Sequence, residues 1–288
     1  MPEGDTLHRS ASRLRPALEG RRLTRFEAPR LTGTVRPTRG STIVSVEAVG
    51  KHLLIAFDDG VVLRTHLRMS GSWHLYRVGE RWRKGAHLAR AVVGTDEWEA
   101  VCFSAPVVEA FRARPGGDPR PADHPLAHLG PDLCRPDVDL DAAVERMAAV
   151  VEPDEEIKVV LLDQRVAAGI GNVYASEVCW ACGVDPFTPV AAVDPAMRRR
   201  LLVTASTLLR ANLGSGPRTT VPGGPGSLAV YGRRGQSCRR CGTPVRMTRQ
   251  GEQARSTYWC PTCQPASPAR RTSPVAREGG EATRSGDG

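Results

Sequence analysis

Apolar residues follow two different rhythms along the chain. From about residue 22 to residue 110 they come in short runs, at 42–48, 52–57, 61–67, 87–93 and 97–103, each rich in Val, Ile, Leu and aromatic residues. These read as strands. Asp59-Gly60 lies between two of them and is a strong hairpin signal. Short strands at such close spacing predict an antiparallel sandwich rather than alternating strand and helix units. Ahead of the sheet, Leu7, Ala11, Leu14 and Leu18 recur at helical spacing, with Pro16 expected to bend or shorten that helix. Beyond Pro125 the helical rhythm takes over. A helix is predicted over 139–150, with Val144, Met147 and Ala148 as its apolar positions. Asp194-Pro195, a cap followed by a first-turn proline, opens another through Met197, Leu201, Ala205, Leu208 and Leu209. Residues 157–183 read as two helices joined by the tight connection Ala167-Ala-Gly-Ile-Gly-Asn172.

Polar stretches divide the chain. Residues 113–125 turn to Pro, Gly, Asp and Arg and read as a linker, 213–235 are Gly/Pro-rich and read as a mobile loop, and the residues after Gln264 offer almost nothing to bury. The organisation expected is a β-sandwich domain at 1–115, a linker at 116–130, a helical domain at 131–235, a small metal-bound domain at 236–265 and a disordered tail at 266–288. The fold class is α+β. No internal repeat is present. No segment approaches the roughly 18 apolar residues of a spanning helix and no signal-peptide pattern opens the chain, so an intracellular protein without a membrane partner is expected.

The sharpest chemical signal is Cys238-Arg-Arg-Cys241 followed by Cys260-Pro-Thr-Cys263. Two C-x-x-C pairs separated by 18 residues suit one tetrahedral Cys₄ zinc, with an insert long enough for a hairpin and too short for a domain. Four thiolates leave zinc no open position for water, so the metal is structural. The other cysteines are Cys102, Cys134, Cys179 and Cys182. Cys179-Trp-Ala-Cys182 falls in a predicted helix and could be a redox or zinc pair, but packing is the reading preferred, since the C-terminal quartet is already complete.

Charge sharpens the picture of a partner. The chain carries +9, and from Tyr231 to Cys263 there are seven arginines against one acid, Glu252. Zinc with four thiolates contributes −2, so this segment still presents an excess suited to a phosphate backbone. Only Lys51, Lys84 and Lys158 are lysines. An ammonium can be tuned to exchange a proton where a guanidinium cannot, so each of the three is a candidate for chemistry.

The connection Gly169-Ile-Gly171 lets the backbone approach something closely, and Asn172 is placed to cap the second helix, whose free N–H groups form a ready phosphate site. As a dinucleotide fingerprint it lacks the third glycine. Met1-Pro2-Glu3 is a second candidate. After loss of the methionine, Pro2 offers a secondary amine of pKa near ~8 that can attack an aldehydic carbon, with Glu3 beside it to move protons. No Gly-x-Ser-x-Gly elbow or phosphate loop is present, and His8, His52, His66, His74, His87, His124 and His128 show no metal spacing.

Taken together, these features resemble the formamidopyrimidine-DNA glycosylase and endonuclease VIII family, from Pro2 to Gln264. The motifs are Met1-Pro-Glu-Gly4, Gly50-Lys51-His52-Leu53, Lys158-x-x-Leu-Leu-Asp163, Gly169-Ile-Gly-Asn-Val-Tyr-Ala-Ser-Glu177, Val230-Tyr-Gly-Arg233 and Arg255-Ser-Thr-Tyr-Trp-Cys-Pro-Thr-Cys-Gln264. The resemblance implies a β-sandwich, a helix–two-turn–helix domain and a zinc finger, with damaged double-stranded DNA in the cleft and a bifunctional glycosylase and abasic-site lyase of base excision repair. Pro2 would attack C1′ of the deoxyribose. Glu3 would be the neighbouring acid/base, and Lys51 would contact the DNA backbone and assist β-elimination. Arg255 would serve δ-elimination and phosphate binding, and Asn172 would hold a phosphate. Met69 would fill the void left by the everted nucleotide, with Arg68, Arg112 and Lys158 as further DNA contacts. The chain departs from the formamidopyrimidine branch by lacking its Asp-Pro-Arg-Arg-Phe-Gly motif and looks closer to endonuclease VIII, which points to oxidised pyrimidines. Position 6, commonly Glu in the family, is Thr6. The resemblance further implies a monomer acting at the cytoplasmic nucleoid. Other readings are a lyase acting mainly on abasic sites and a non-catalytic DNA-binding protein.

Overall fold

The computed structural model describes residues 1–113 and 125–269. The expected linker at 116–130 lies largely outside the described residues, as do His124 and the expected tail beyond residue 269. The first helix, α1 (Gly4–Leu18), leads into eight strands: β1 (Arg25–Glu27), β2 (Ile43–Val49), β3 (His52–Phe57), β4 (Val61–His66), β5 (Ser72–Arg77), β6 (Ala89–Gly94), β7 (Trp98–Phe103) and β8 (Val107–Arg112). They form two four-stranded antiparallel sheets, β2-β3-β4-β8 and β1-β6-β7-β5. Val46, Leu53, Ile55 and Leu63 of one sheet meet Trp73, Ala91, Val93 and Cys102 of the other, and α1 adds Leu7, Leu14 and Leu18 to the same core.

All five predicted strands are present, with one change: residues 86–88 form a single 3₁₀ turn and the strand starts at Ala89. The strands β5 and β8 were not expected. In β5 the side chains alternate but both faces bury residues, Trp73 in the core between the sheets and Tyr76 on the outer face with Val92, Phe103 and Trp82. Pro16 does not shorten α1. It falls in the last turn, where it removes one backbone hydrogen bond, and Leu18 beyond it is fully buried.

The second domain holds α2 (Leu140–Ala149), α3 (Ile157–Leu162), α4 (Asn172–Cys182) and α5 (Pro195–Ala211). Asp139 and Asp194 cap α2 and α5 through the N–H groups of Ala142 and Met197. In α2 the buried positions are Ala143 and Met147, whereas Ala148, expected inward, is exposed. Helix α4 has apolar residues all round and runs through the domain core, where Cys179 and Cys182 pack with Tyr174, Val178 and Leu201. Residues 213–235 are irregular, yet they are tied down at Glu177, as described below. The C-terminal hairpin pairs β9 (Arg246–Gln250) with β10 (Arg255–Trp259).

Candidate active site and DNA interface

The site forms where the first turn of α1 meets the N-terminus of α4. Glu3 is fully buried, and its carboxylate accepts hydrogen bonds from the N–H groups of Gly171 (2.7 Å), Val173 (2.8 Å) and Tyr174 (3.4 Å). A carboxylate at a helix N-terminus satisfies orphan donors and complements the positive dipole end. The helix end that the sequence suggested as a phosphate site is therefore filled by Glu3. The N-cap is Gly171, and Asn172 is the first helical residue instead of the cap. Only glycine allows this approach: a Cβ on Gly171 would stand 2.3 Å from Glu3 Cδ, and one on Gly4 would stand 2.9 Å from Gly169 Cα. Gly4 N–H also donates to Gly169 C=O at 2.9 Å.

Around this junction the structure gathers Pro2, Glu3, Lys51, Lys158, Asn172 and Arg255. Lys51 is half-buried in the two-residue β2–β3 turn, and the Gly50 N–H donates to Asp132 Oδ2 at 2.8 Å. Burial pushes the Lys51 ammonium down to about 8, Glu3 opposes that shift, and Arg255 reinforces it. Lys158 is 1% exposed and also lies at about 8, chiefly through burial. Its Nζ donates to Asn172 Oδ1 at 2.7 Å, so it supports Asn172 from beneath and does not face solvent as a DNA contact. Asn172 Nδ2 donates in turn to Ser256 O (2.8 Å) and Oγ (3.2 Å), which ties α4 to β10 beside Arg255. Arg255 donates to Gln253 Oε1 and forms no ion pair among the described residues.

The β4–β5 loop carries Arg68 and Met69. Met69 is 71% exposed, an unusual place for a large apolar side chain, and Arg68 has φ 45°, in the left-handed region. Both lie near His66, which burial, Lys51 and Arg68 hold down at about 4. The structure does not bring Arg112 to this group. In the β4–β8 register His66 pairs with Val107 whereas Val61 pairs with Arg112, so Arg112 is at the opposite end of the strand, about 16 Å away at the usual rise. There it donates to the carbonyl of Asp59 at 3.1 Å.

Four residues in this region were missed by the sequence reading. Asp132 accepts from His8 Nε2 (2.9 Å), Gly50 N–H (2.8 Å) and Cys134 N–H (2.9 Å), so one buried carboxylate joins α1, the Lys51 turn and the helical domain. Glu177, 1% exposed, accepts from the N–H groups of Ala229 (2.7 Å), Val230 (2.9 Å) and Tyr231 (2.8 Å) and from the Thr220 hydroxyl. Asp5 and Arg218 form a third buried pair, at 2.9 and 2.5 Å. An acid inside the apolar run of α4 was the one available signal for Glu177; Asp5 and Arg218 are 213 residues apart and carry none.

The four sulfurs of Cys238, Cys241, Cys260 and Cys263 lie within 4.8 Å of one another, with Cys238–Cys263 at 3.9 Å and Cys241–Cys260 at 3.4 Å. A tetrahedron with Zn–S bonds of about 2.3 Å has S–S edges of about 3.8 Å, so the quartet fits one structural zinc. Donors already face the sulfurs: Arg240 N–H and Trp180 Nε1 to Cys238, and Cys263 N–H to Cys260. Trp180 of α4 packs with Cys238, Val245 and Cys260, which docks the finger on the helical domain.

An N-terminal sandwich, helical domain and Cys₄ hairpin converging on a terminal Pro-Glu pair define a class of DNA base-excision enzymes. The sequence matches the family models described as Formamidopyrimidine-DNA glycosylase N-terminal domain over residues 1–106, Formamidopyrimidine-DNA glycosylase H2TH domain over 129–221, and Zinc finger found in FPG and IleRS over 235–266. The chain belongs to the formamidopyrimidine-DNA glycosylase and endonuclease 8 family, whose members are DNA glycosylases and abasic-site lyases. It is 44% identical over 276 residues to a probable endonuclease 8 2 of Streptomyces coelicolor, covering 94% of this chain and 96% of that one. It is 37% identical over 269 residues to the DNA-(apurinic or apyrimidinic site) lyase Nei2 of Mycolicibacterium smegmatis, covering 93% and 100%. Among solved structures it is similar to the MutM (Fpg) protein of Thermus thermophilus, with a TM-score of 0.73, 27% identity and coverage of 93% and 100%. Among the described residues no helix is long and apolar enough to cross a membrane.

Proposed function

We propose that the chain excises oxidised pyrimidines from duplex DNA and then cleaves the strand at the abasic sugar, with the Pro2 amine, freed of Met1, as nucleophile. The observation that supports this reading is the burial of Glu3, the neighbour of Pro2, against α4, where its charge and that of Arg255 both act on Lys51. The secondary amine attacks C1′ and the base leaves. The C1′–O4′ bond then opens with its electron pair on oxygen, the nitrogen lone pair forms the iminium, and Glu3 relays the proton that O4′ takes up. The iminium acidifies the C2′ protons, which makes β-elimination of the 3′ phosphate facile, and loss of the 5′ phosphate follows as δ-elimination. Lys51 and Arg255 neutralise phosphates flanking the sugar, while Asn172, held by Lys158, exchanges an Nδ2 hydrogen bond to Ser256 for one to a phosphate and Met69 enters the stack left by the everted nucleotide. Arg68, next to Met69 in the same loop, is a further proposed DNA contact. The pyrimidine preference is supported by the relatives named endonuclease 8 and by the absence of the formamidopyrimidine-branch motif. The protein is proposed to act as a monomer on intracellular DNA.

Borohydride trapping tests this. Protein with a free Pro2 should form a covalent adduct on duplexes carrying either an oxidised pyrimidine or an abasic site, and protein with an N-terminal tag should form none. Failure of the free protein on both duplexes overturns the reading, and adduct on the abasic duplex alone confines it to a lyase.

A further inference from the structure

With Met1 in place, the start of the chain is held by groups that lie far along the sequence. Arg218, in the irregular segment after α5, donates from Nη1 to the Met1 carbonyl oxygen at 3.3 Å. That guanidinium is gripped in turn. Its Nε and Nη2 donate to the two oxygens of the fully buried Asp5 at 2.9 and 2.5 Å, and it lies over the Tyr174 ring at 4.8 Å. The same segment is tied to α1 once more, where Arg9 Nη1 donates to the Gly216 carbonyl at 2.6 Å. The backbone that follows is pinned as well. Glu3 is fully buried with three N–H groups of α4 on its carboxylate, and the Gly4 N–H donates to the Gly169 carbonyl. Fixed structure thus begins at Glu3. Only Met1 and Pro2 form a free end, and the carbonyl between them is the one that Arg218 engages.

We propose that the closed protein shields its own Met1–Pro2 bond, so that a methionine aminopeptidase must remove Met1 before the two domains close on each other. The reaction is hydrolysis of one amide. Water attacks the Met1 carbonyl carbon, the C–N bond breaks, the hydroxyl stays with the methionine carboxyl and the proton passes to the Pro2 nitrogen, which becomes a secondary amine. A peptidase has to polarise that carbonyl and draw the residues after it into its cleft. In the closed protein Arg218 already engages the oxygen, and residues 3 and 4 cannot be drawn out without breaking the Glu3 and Gly4 bonds. Cleavage then follows the fraction of molecules whose junction has opened. The order of synthesis supplies another route. The donors to Glu3 lie 168 to 171 residues downstream of it, and Arg218 lies 217 residues from Met1. At about 5–20 residues per second, Met1 stays accessible for about 10–30 s before the chain that closes over it has been made. On the function proposed above, a chain that closes with Met1 in place is locked inactive, because the lone pair of an amide nitrogen is delocalised into its carbonyl.

The shielding does not depend on Pro2 being the nucleophile, and the experiment reads the two separately. Full-length protein that retains Met1 is released from an N-terminal fusion by a protease that cuts just before Met1. It is then incubated with methionine aminopeptidase, with a peptide of residues 1–8 as reference, and methionine loss is followed by intact mass. The folded protein should lose Met1 at least 100-fold more slowly than the peptide. Arg218→Ala frees the carbonyl and Asp132→Asn loosens the junction, and neither alters residues 1–8, so the same peptide serves as reference for both. Each should lose Met1 about tenfold faster than wild type. Loss from folded wild type within threefold of the peptide overturns the proposal, and so does loss from both variants as slow as from wild type, which would place the block elsewhere. Borohydride trapping on the abasic duplex is measured on the same samples. Adduct should rise in proportion to the fraction of chains that have lost Met1. Adduct on chains that retain Met1 would overturn the role of Pro2 and leave the shielding result standing.

Discussion

Lys51 illustrates how much of a residue's role depends on groups remote in sequence. Its position after a glycine turn was legible, and the scarcity of lysine made it conspicuous. Its ionisation is set by burial, by Glu3 and by Arg255, none of which is a sequence neighbour. With the folded value at about 8, the ammonium is mostly charged at pH 7 and mostly neutral at pH 9. As a phosphate contact it should lose its grip as pH rises through that value. Affinity for the tetrahydrofuran duplex should therefore weaken about tenfold between pH 7 and 9, roughly the net worth of one charge-assisted hydrogen bond. Lys51→Arg, charged throughout, should flatten that dependence; an equal pH dependence in both proteins would show that Lys51 does not carry it. Glu3 was legible as an acid beside a nucleophile but not as the anchor of α4, because its partners are 168 to 171 residues away. A free helix N-terminus looks like an anion site whether the anion is a ligand or the protein's own carboxylate.

At the scale of elements, the zinc hairpin was the most legible part of the chain, since four ligand types at fixed spacing allow few alternatives. What the spacing could not show is that Trp180 and Glu177, both on α4, dock the finger and the segment before it. Strands β5 and β8 were missed because one buries residues on both faces and the other has two half-buried residues beside Val108, which blurs the two-residue period. Two outcomes follow from the docking. Stripping zinc with a chelator should release the hairpin, exposing the bond after Arg255 to trypsin and abolishing DNA binding, while the far-ultraviolet signature of the sandwich persists. A hairpin still protected after metal loss would contradict a structural zinc. Glu177→Ala would leave three buried N–H groups without a partner, at about 1–3 kcal/mol for each group that water does not reach. Denaturant unfolding should show the loss.

Across the whole molecule, the two domains are joined by an apolar cluster, in which Leu126, Leu129 and Ala168 pack with Val49 and Leu54, and by buried acids. Glu3 and Asp5 come from the first domain, Asp132 comes from the second, and each takes donors from across the boundary. Burial pushes Asp132 up, but its bonds to His8, to the Gly50 N–H and to the Cys134 N–H outweigh burial and hold it below the ordinary carboxylate value. The sign for stability follows. A depressed folded pKa means that the unfolded chain binds the proton more readily, so this contribution is complete above about pH 5 and is lost as pH falls toward and below the ordinary value near ~3.9. An Asp132→Asn chain keeps the shape but gives up the ionic part of the bonds to His8 and Gly50. In calorimetry at pH 7, wild type should unfold in one transition, since neither domain can open without breaking these bonds. Asp132→Asn should unfold at lower temperature with the transition broadened or split, and the difference from wild type should shrink when both are measured at about pH 3, below the ordinary carboxylate value. A variant difference that stays constant from pH 7 down to that pH would assign the effect to packing instead of charge. Because Gly50 precedes Lys51, the same variant should also slow trapping while leaving the zinc content unchanged, linking the junction that holds the domains together to the placement of the lysine proposed to assist elimination.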